Sequence, residues 1–155
     1  MRSRAAIGNH PIHPFLVALP VGAFFLALIG DVAYLRTRGL PWADFSGVAI
    51  GVGVLTALVA ALFGFIDYTG LAPGSAARRI GTSHMALNLA QVALYAASFY
   101  LRYTNPTRFL PTPAALALAF VAFALLLAAG WLGGKMVFEL RAGVIEGDRK
   151  IEARP

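Results

Sequence analysis

The chain has 155 residues, of which 59% are hydrophobic and only 13% charged, with a formal net charge of +6 and no cysteine. Soluble domains carry about 25% charged residues, so an ordinary globular domain in water is excluded. The lack of cysteine also excludes disulfides, thiolate metal sites, covalently attached haem and cysteine-ligated iron–sulfur clusters.

A helix needs roughly 20 apolar residues to cross the hydrocarbon core of a bilayer. Four stretches meet that need, at 14–35, 45–66, 84–101 and 113–138. The links at 36–41, 69–75 and 104–111 are short and rich in Gly, Pro, Thr and Asn, so successive helices should pack as antiparallel neighbours. Pro113 falls in the first turn of the fourth span, where a helix tolerates proline. The expectation is an all-α, integral membrane four-helix bundle: one domain over 1–145, then a polar tail at 146–155. The basic start Met1-Arg2-Ser3-Arg4 is followed by no small-residue cleavage site, so the first span reads as a retained helix.

The basic residues are spread over both ends of the spans, so they read as topology signals and not as a nucleic-acid surface. The side holding both termini carries Arg2, Arg4, Arg78, Arg79, Lys135, Arg141, Arg149, Lys150 and Arg154, and the other carries Arg36, Arg38, Arg102 and Arg108. The excess predicts cytoplasmic termini in a bacterial inner membrane.

Few polar residues interrupt the spans, and those few are informative. Positions 18 apart superpose on a helical wheel. His13 and Asp31 stand in that relation, as do His84 and Arg102. Asn88, Gln91, Tyr95 and Ser98 fall close to the line from His84 to Arg102, a stripe that should face the bundle interior. Antiparallel packing brings Asp31 and Arg102 to one membrane face, where they are expected to pair. It brings His10, His13, Asp67, His84 and Glu139 to the other.

The halves share a layout in the manner of two duplicated helical hairpins. His13 precedes Pro41 by 28 residues and Asp67 by 54; His84 precedes Pro111 by 27 and Glu139 by 55. Such a repeat relates its halves by a two-fold along the membrane normal, setting His13 and His84 at equal depth. Gly64, Gly81, Gly130, Gly133 and Gly134 crowd toward the same end. They either pack helices closely, as Gly47-x-x-x-Gly51 suggests, or leave room for a flat macrocycle.

The segments His10-Pro11-Ile12-His13-Pro14, Leu19-Pro20-Val21-Gly22, Gly64-Phe65-Ile66-Asp67-Tyr68, His84 with Asn88, and Gly130-Trp131-Leu132-Gly133-Gly134 resemble a bacterial family of four-helix membrane proteins of unknown function. The resemblance covers nearly the whole chain. Some relatives are joined to Rieske-type iron–sulfur or other redox domains, which implies a link to membrane electron transfer.

The leading expectation is therefore a redox subunit that holds a b-type haem between His13 and His84. Asn88, one turn after His84, or a nearby backbone carbonyl would fix an imidazole tautomer. Asp67, Tyr68 and Trp131 would line a pocket where a quinone, or another membrane redox subunit, exchanges electrons. A second expectation is a zinc, iron or copper site built from His10, His13 and His84 and completed by Asp67 or Glu139. A third is a structural subunit of a membrane complex. No nucleophile–base constellation marks a hydrolase.

Overall fold

The computed structural model describes residues 3–8 and 10–143. A short antiparallel hairpin comes first, β1 (Ala6–Ile7) and β2 (His10–Pro11), with Gly8 supplying the positive φ of 60° at its turn. The helices are α1 (Ile12–Leu16), α2 (Ala18–Thr37), α3 (Leu40–Thr69), α4 (Ala76–Tyr103) and α5 (Pro113–Phe138).

The first expected span is thus divided at Val17. Pro20 has no N–H to return to the carbonyl of Leu16, so the helical ladder loses a rung there. Bonds from Val17 N–H to His13 O at 3.1 Å and from Val21 N–H to Val17 O at 3.2 Å carry the chain across the break. The third helix starts eight residues earlier than its apolar run, because Ser75 caps it by accepting from Arg78 N–H at 3.1 Å. The fourth has the expected bounds: Thr112 accepts from Ala115 N–H at 3.2 Å and Pro113 occupies the first turn.

Three segments, Ile12–Thr37, Leu40–Thr69 and Pro113–Phe138, are apolar and long enough to cross a membrane. With 28 residues α4 has comparable length, but its polar stripe lowers its hydropathy. Gln91, Tyr95, Ser98 and Arg102 of that stripe are buried. The chain is an all-α membrane bundle in which one helix spends its polar groups on the interior.

Packing is most extensive within two hairpins, α2 with α3 and α4 with α5. Along the seam between the hairpins, α2 meets α4 through long side chains. Phe24 and Tyr95 stack with ring centroids 3.9 Å apart and planes 2° from parallel. Gly53 of α3 makes room for that ring, since a Cβ there would lie 2.5 Å from Phe24. One end of the seam is closed by Asp31 and Arg102, whose two hydrogen bonds are both 2.8 Å. Ser46 Oγ–H donates to Asp31 Oδ1 at 2.6 Å, and Arg102 Nε–H donates to Ser98 Oγ at 3.2 Å. Both charged side chains are almost fully buried. Such a pair holds together in low dielectric because every polar atom has a partner.

Asp31 and Arg102 are 71 positions apart. Phe24 and Tyr95 have the same spacing. A residue that touches its own counterpart in the other half lies on the two-fold relating the halves. The seam is therefore that pseudo-symmetric axis, and residues 71 apart face one another along it. The polar tail and Arg2, Arg149, Lys150 and Arg154 lie outside the described residues.

Candidate functional site

Continuing the 71-residue spacing away from the ion pair leads to Pro20 with Gln91, Val17 with Asn88, and His13 with His84. At these levels the seam opens. A cavity of about 410 Å³ separates the hairpins, lined by both histidines, Asn88, Gln91 and mainly apolar side chains from all the long helices. Small-molecule sites range over roughly 300–1,000 Å³.

The two imidazoles make matching backbone bonds. His13 Nδ1–H donates to the carbonyl of Ala60 on α3 at 2.9 Å, and His84 Nδ1–H donates to that of Ala129 on α5 at 2.9 Å. A carbonyl oxygen only accepts, so both bonds place a proton on Nδ1, and in a neutral ring Nε2 then keeps its lone pair. One turn beyond each carbonyl stands a glycine against the ring. A Cβ at Gly64 would come within 2.8 Å of His13 Cε1, and one at Gly133 within 3.1 Å of His84 Cε1. These two glycines make room for imidazoles and not for a macrocycle. At Gly81 the space is taken by Leu71 and Met136.

Behind His84 runs a chain of amides. Asn88 Nδ2 donates to the His84 carbonyl at 2.8 Å and reaches His84 Nε2 at 3.2 Å. Its Oδ1 accepts from Gln91 Nε2 at 3.0 Å. Gln91 Oε1 is buried and is the one such side-chain atom without a hydrogen-bond partner among the described residues.

The remaining sequence candidates do not join the histidines. His10 is exposed on β2. Glu139 is exposed and lies 3.6 Å from Lys135 one turn earlier. Asp67 borders the cavity, but its Oδ1 already accepts from Ser3 Oγ at 2.7 Å, Arg4 N–H at 2.8 Å and Ala5 N–H at 2.9 Å. The carboxylate fastens the N-terminal segment to the end of α3. Among the described residues no three His, Asp or Glu side chains converge closely enough to hold one ion. The expected zinc, iron or copper cluster of His10, His13, His84, Asp67 and Glu139 is thus not assembled. Four helices packed at 8–10 Å spacings present a broad end, and residues sharing that end need not meet. Trp131 is a second correction: it is 78% exposed on the outer face of α5 and does not line the cavity. Tyr68 does border the cavity, with its hydroxyl 2.8 Å from Thr82 Oγ1.

Sequence reasoning expects a backbone carbonyl at an imidazole but does not name Ala60 or Ala129, because backbone atoms carry no residue-type signature. A signal did exist in Gly64 and Gly133, which share a 69-residue spacing with those alanines.

Fold and site define a membrane-embedded helical bundle with a paired-imidazole cavity at one end. A model of the DUF2231 family, described as a predicted membrane protein, matches residues 9–146. The chain belongs to that family of predicted membrane proteins. No curated protein and no solved structure matches it.

Proposed function

We propose that this protein is a membrane redox subunit that binds a b-type haem between His13 and His84. The observation that carries the reading is the matched pair of imidazoles in one cavity, each with its proton held on Nδ1 by a backbone carbonyl 2.9 Å away. This is the orientation in which Nε2 serves as a metal ligand and the opposite nitrogen tunes its basicity. Neutral rings held this way would each offer an Nε2 lone pair to a Lewis acid in the cavity.

The count of donors favours haem over a bare ion. Zinc sites use three or four protein ligands, whereas a haem brings most of its iron's ligands with it and could be held by His13 and His84 alone. The largely apolar lining suits a porphyrin. It offers no Lys or Arg among the described residues, so water at the mouth has to meet the acid groups of the haem. To serve as a ligand, His84 Nε2 would give up its 3.2 Å contact with Asn88, while the amide would keep its 2.8 Å bond to the His84 carbonyl. The bound group supplies one-electron chemistry; the chain supplies ligation, ring orientation and a dry setting that tunes potential. A lipid-soluble quinone, or another redox subunit in the bilayer, is the electron partner. We place the site at the cytoplasmic side of a bacterial inner membrane, on the distribution of basic residues.

The test is a visible spectrum in mild detergent, oxidised and dithionite-reduced, before and after addition of hemin. A Soret band with sharp reduced α and β bands is expected, and His13→Ala or His84→Ala should each abolish the six-coordinate spectrum. Protein that stays colourless and takes up no hemin would overturn the reading.

A further inference from the structure

The end of the bundle opposite the histidines carries two charges that nothing in the described chain neutralises. Asp44 stands one turn inside α3, exposed, and makes no hydrogen bond or ion pair among the described residues. Arg108, in the link between α4 and α5, is exposed as well. The one interaction of its guanidinium among the described residues is with the Phe109 ring, 4.9 Å from the centroid. Both residues line one hollow of about 430 Å³, together with Leu40, Val48, Thr107 and Phe109.

The link is locked where it presents Arg108. Phe109 takes a left-handed φ of 61°, strain that persists in a non-glycine residue only where its surroundings over-determine it. Here its N–H donates to Arg102 O at 3.0 Å, and its buried ring fills the space that a Cβ at Gly47 would enter, 2.6 Å away. Depth follows from the length of α3. Its 30 residues span about 45 Å, the thickness of a bilayer with its headgroups. The first turns of α3 therefore lie at headgroup level, where the exposed Trp42 is an interfacial anchor. A carboxylate so near hydrocarbon needs a partner. Past Asp44 the same face of α3 continues with Val48, Val52 and Leu55, all exposed.

We propose that this hollow binds the headgroup of phosphatidylethanolamine, a membrane lipid whose head carries both a phosphate and a primary ammonium. The ammonium N–H groups donate to Asp44, the phosphate oxygens accept from Arg108, and one acyl chain runs along Val48, Val52 and Leu55. Charge complementarity selects this head. A choline head has a quaternary nitrogen with no N–H to donate. A glycerol head has no cation, and it would set a net negative lipid against Asp44. The site is separate from the histidine cavity and independent of what that cavity binds.

The test titrates the full chain in mild detergent, by calorimetry, with short-chain phosphatidylethanolamine, phosphatidylcholine and phosphatidylglycerol. The ethanolamine lipid should bind about tenfold more tightly than either of the others, the worth of roughly one hydrogen bond to a charged group. Asp44→Leu removes the acceptor, so the preference over the choline lipid should fall to within about twofold. Arg108→Gln should instead weaken the ethanolamine and choline lipids alike, by about fivefold, because both carry the phosphate. Both side chains are exposed, so neither variant disturbs the core. Glycerophosphoethanolamine, the same head without acyl chains, should bind at least about tenfold more weakly than the lipid, since it buries nothing along α3. Equal affinity for the ethanolamine and choline lipids, tightest binding of the glycerol lipid, a preference that survives Asp44→Leu, or no lipid binding at all overturns the proposal. So does equal affinity for glycerophosphoethanolamine, which would make the hollow a site for a soluble zwitterion.

Discussion

The two ends of the seam between the hairpins make opposite use of one symmetric framework. At one end the residues 71 apart are an aspartate and an arginine, joined by two bonds of 2.8 Å and braced by Ser46 and Ser98. At the other end they are two histidines, each tied back to its own hairpin partner and facing a cavity of about 410 Å³. Unlike charges complete each other across an axis of near-symmetry. Two rings that each give their Nδ1 proton to a backbone carbonyl do not, and a cavity stays open between the hairpins there. The closed end is satisfied wholly within the chain. Between them the Phe24–Tyr95 stack, with planes 2° apart, marks the last level at which the protein fills the seam with its own side chains.

The sharpest way to break this contrast is to unpair the closed end. Arg102→Gln or Asp31→Asn leaves the partner charge buried, and each should cost about 3–5 kcal/mol of stability, read from denaturant unfolding in detergent. Exchanging the two residues should recover part of that loss, because the axis makes their positions near-equivalent. A double variant no better than the worse single one would remove the ion pair from the account. Next in size is the aromatic level. Phe24→Ala should cost about 3 kcal/mol by leaving a cavity against Gly53. A double-mutant cycle with Tyr95→Ala should isolate about 1 kcal/mol for the stack itself.

At the open end the glycines offer a finer comparison. Gly64→Ala must push on His13 from 2.8 Å, and Gly133→Ala on His84 from only 3.1 Å. The first should strain the Nδ1 bond to Ala60 by about 1 kcal/mol and the second by less. Hemin titration of the two variants checks the order: Gly64→Ala should lose more affinity, and the reverse order would mean that the rings are held by something other than these contacts. Smallest is Asp67→Asn, which weakens a charge-assisted acceptor of three donors. Faster hydrogen exchange at the amides of Arg4 and Ala5 is expected, with little change in global stability.

Much of this was legible in the order of residues. Hydropathy located the helices, and helical spacing put His84, Gln91 and Arg102 on one inward stripe, because a bilayer tolerates polar groups only where protein encloses them. The start of α4 was missed since 76–83 are not apolar and a cap at Ser75, not hydropathy, begins the helix there. Trp131 was misassigned although the wheel argued otherwise: buried Ala115, Ala119, Ala122, Leu126 and Ala129 trace one face of α5, and a residue two positions beyond Ala129 points away from it.

By itself the sequence determined a helical membrane bundle and the inward direction of its polar residues, because periodicity and transfer energy act through near neighbours along the chain. Only the tertiary structure decided which of those residues meet. Convergence depends on distances between helices far apart in sequence: it drew His13 and His84 to one cavity, gave Asp67 to the N-terminal segment, and left His10 and Glu139 at the surface. The proton positions on the two imidazoles were likewise set by carbonyls of Ala60 and Ala129, atoms that every residue carries and no sequence pattern singles out.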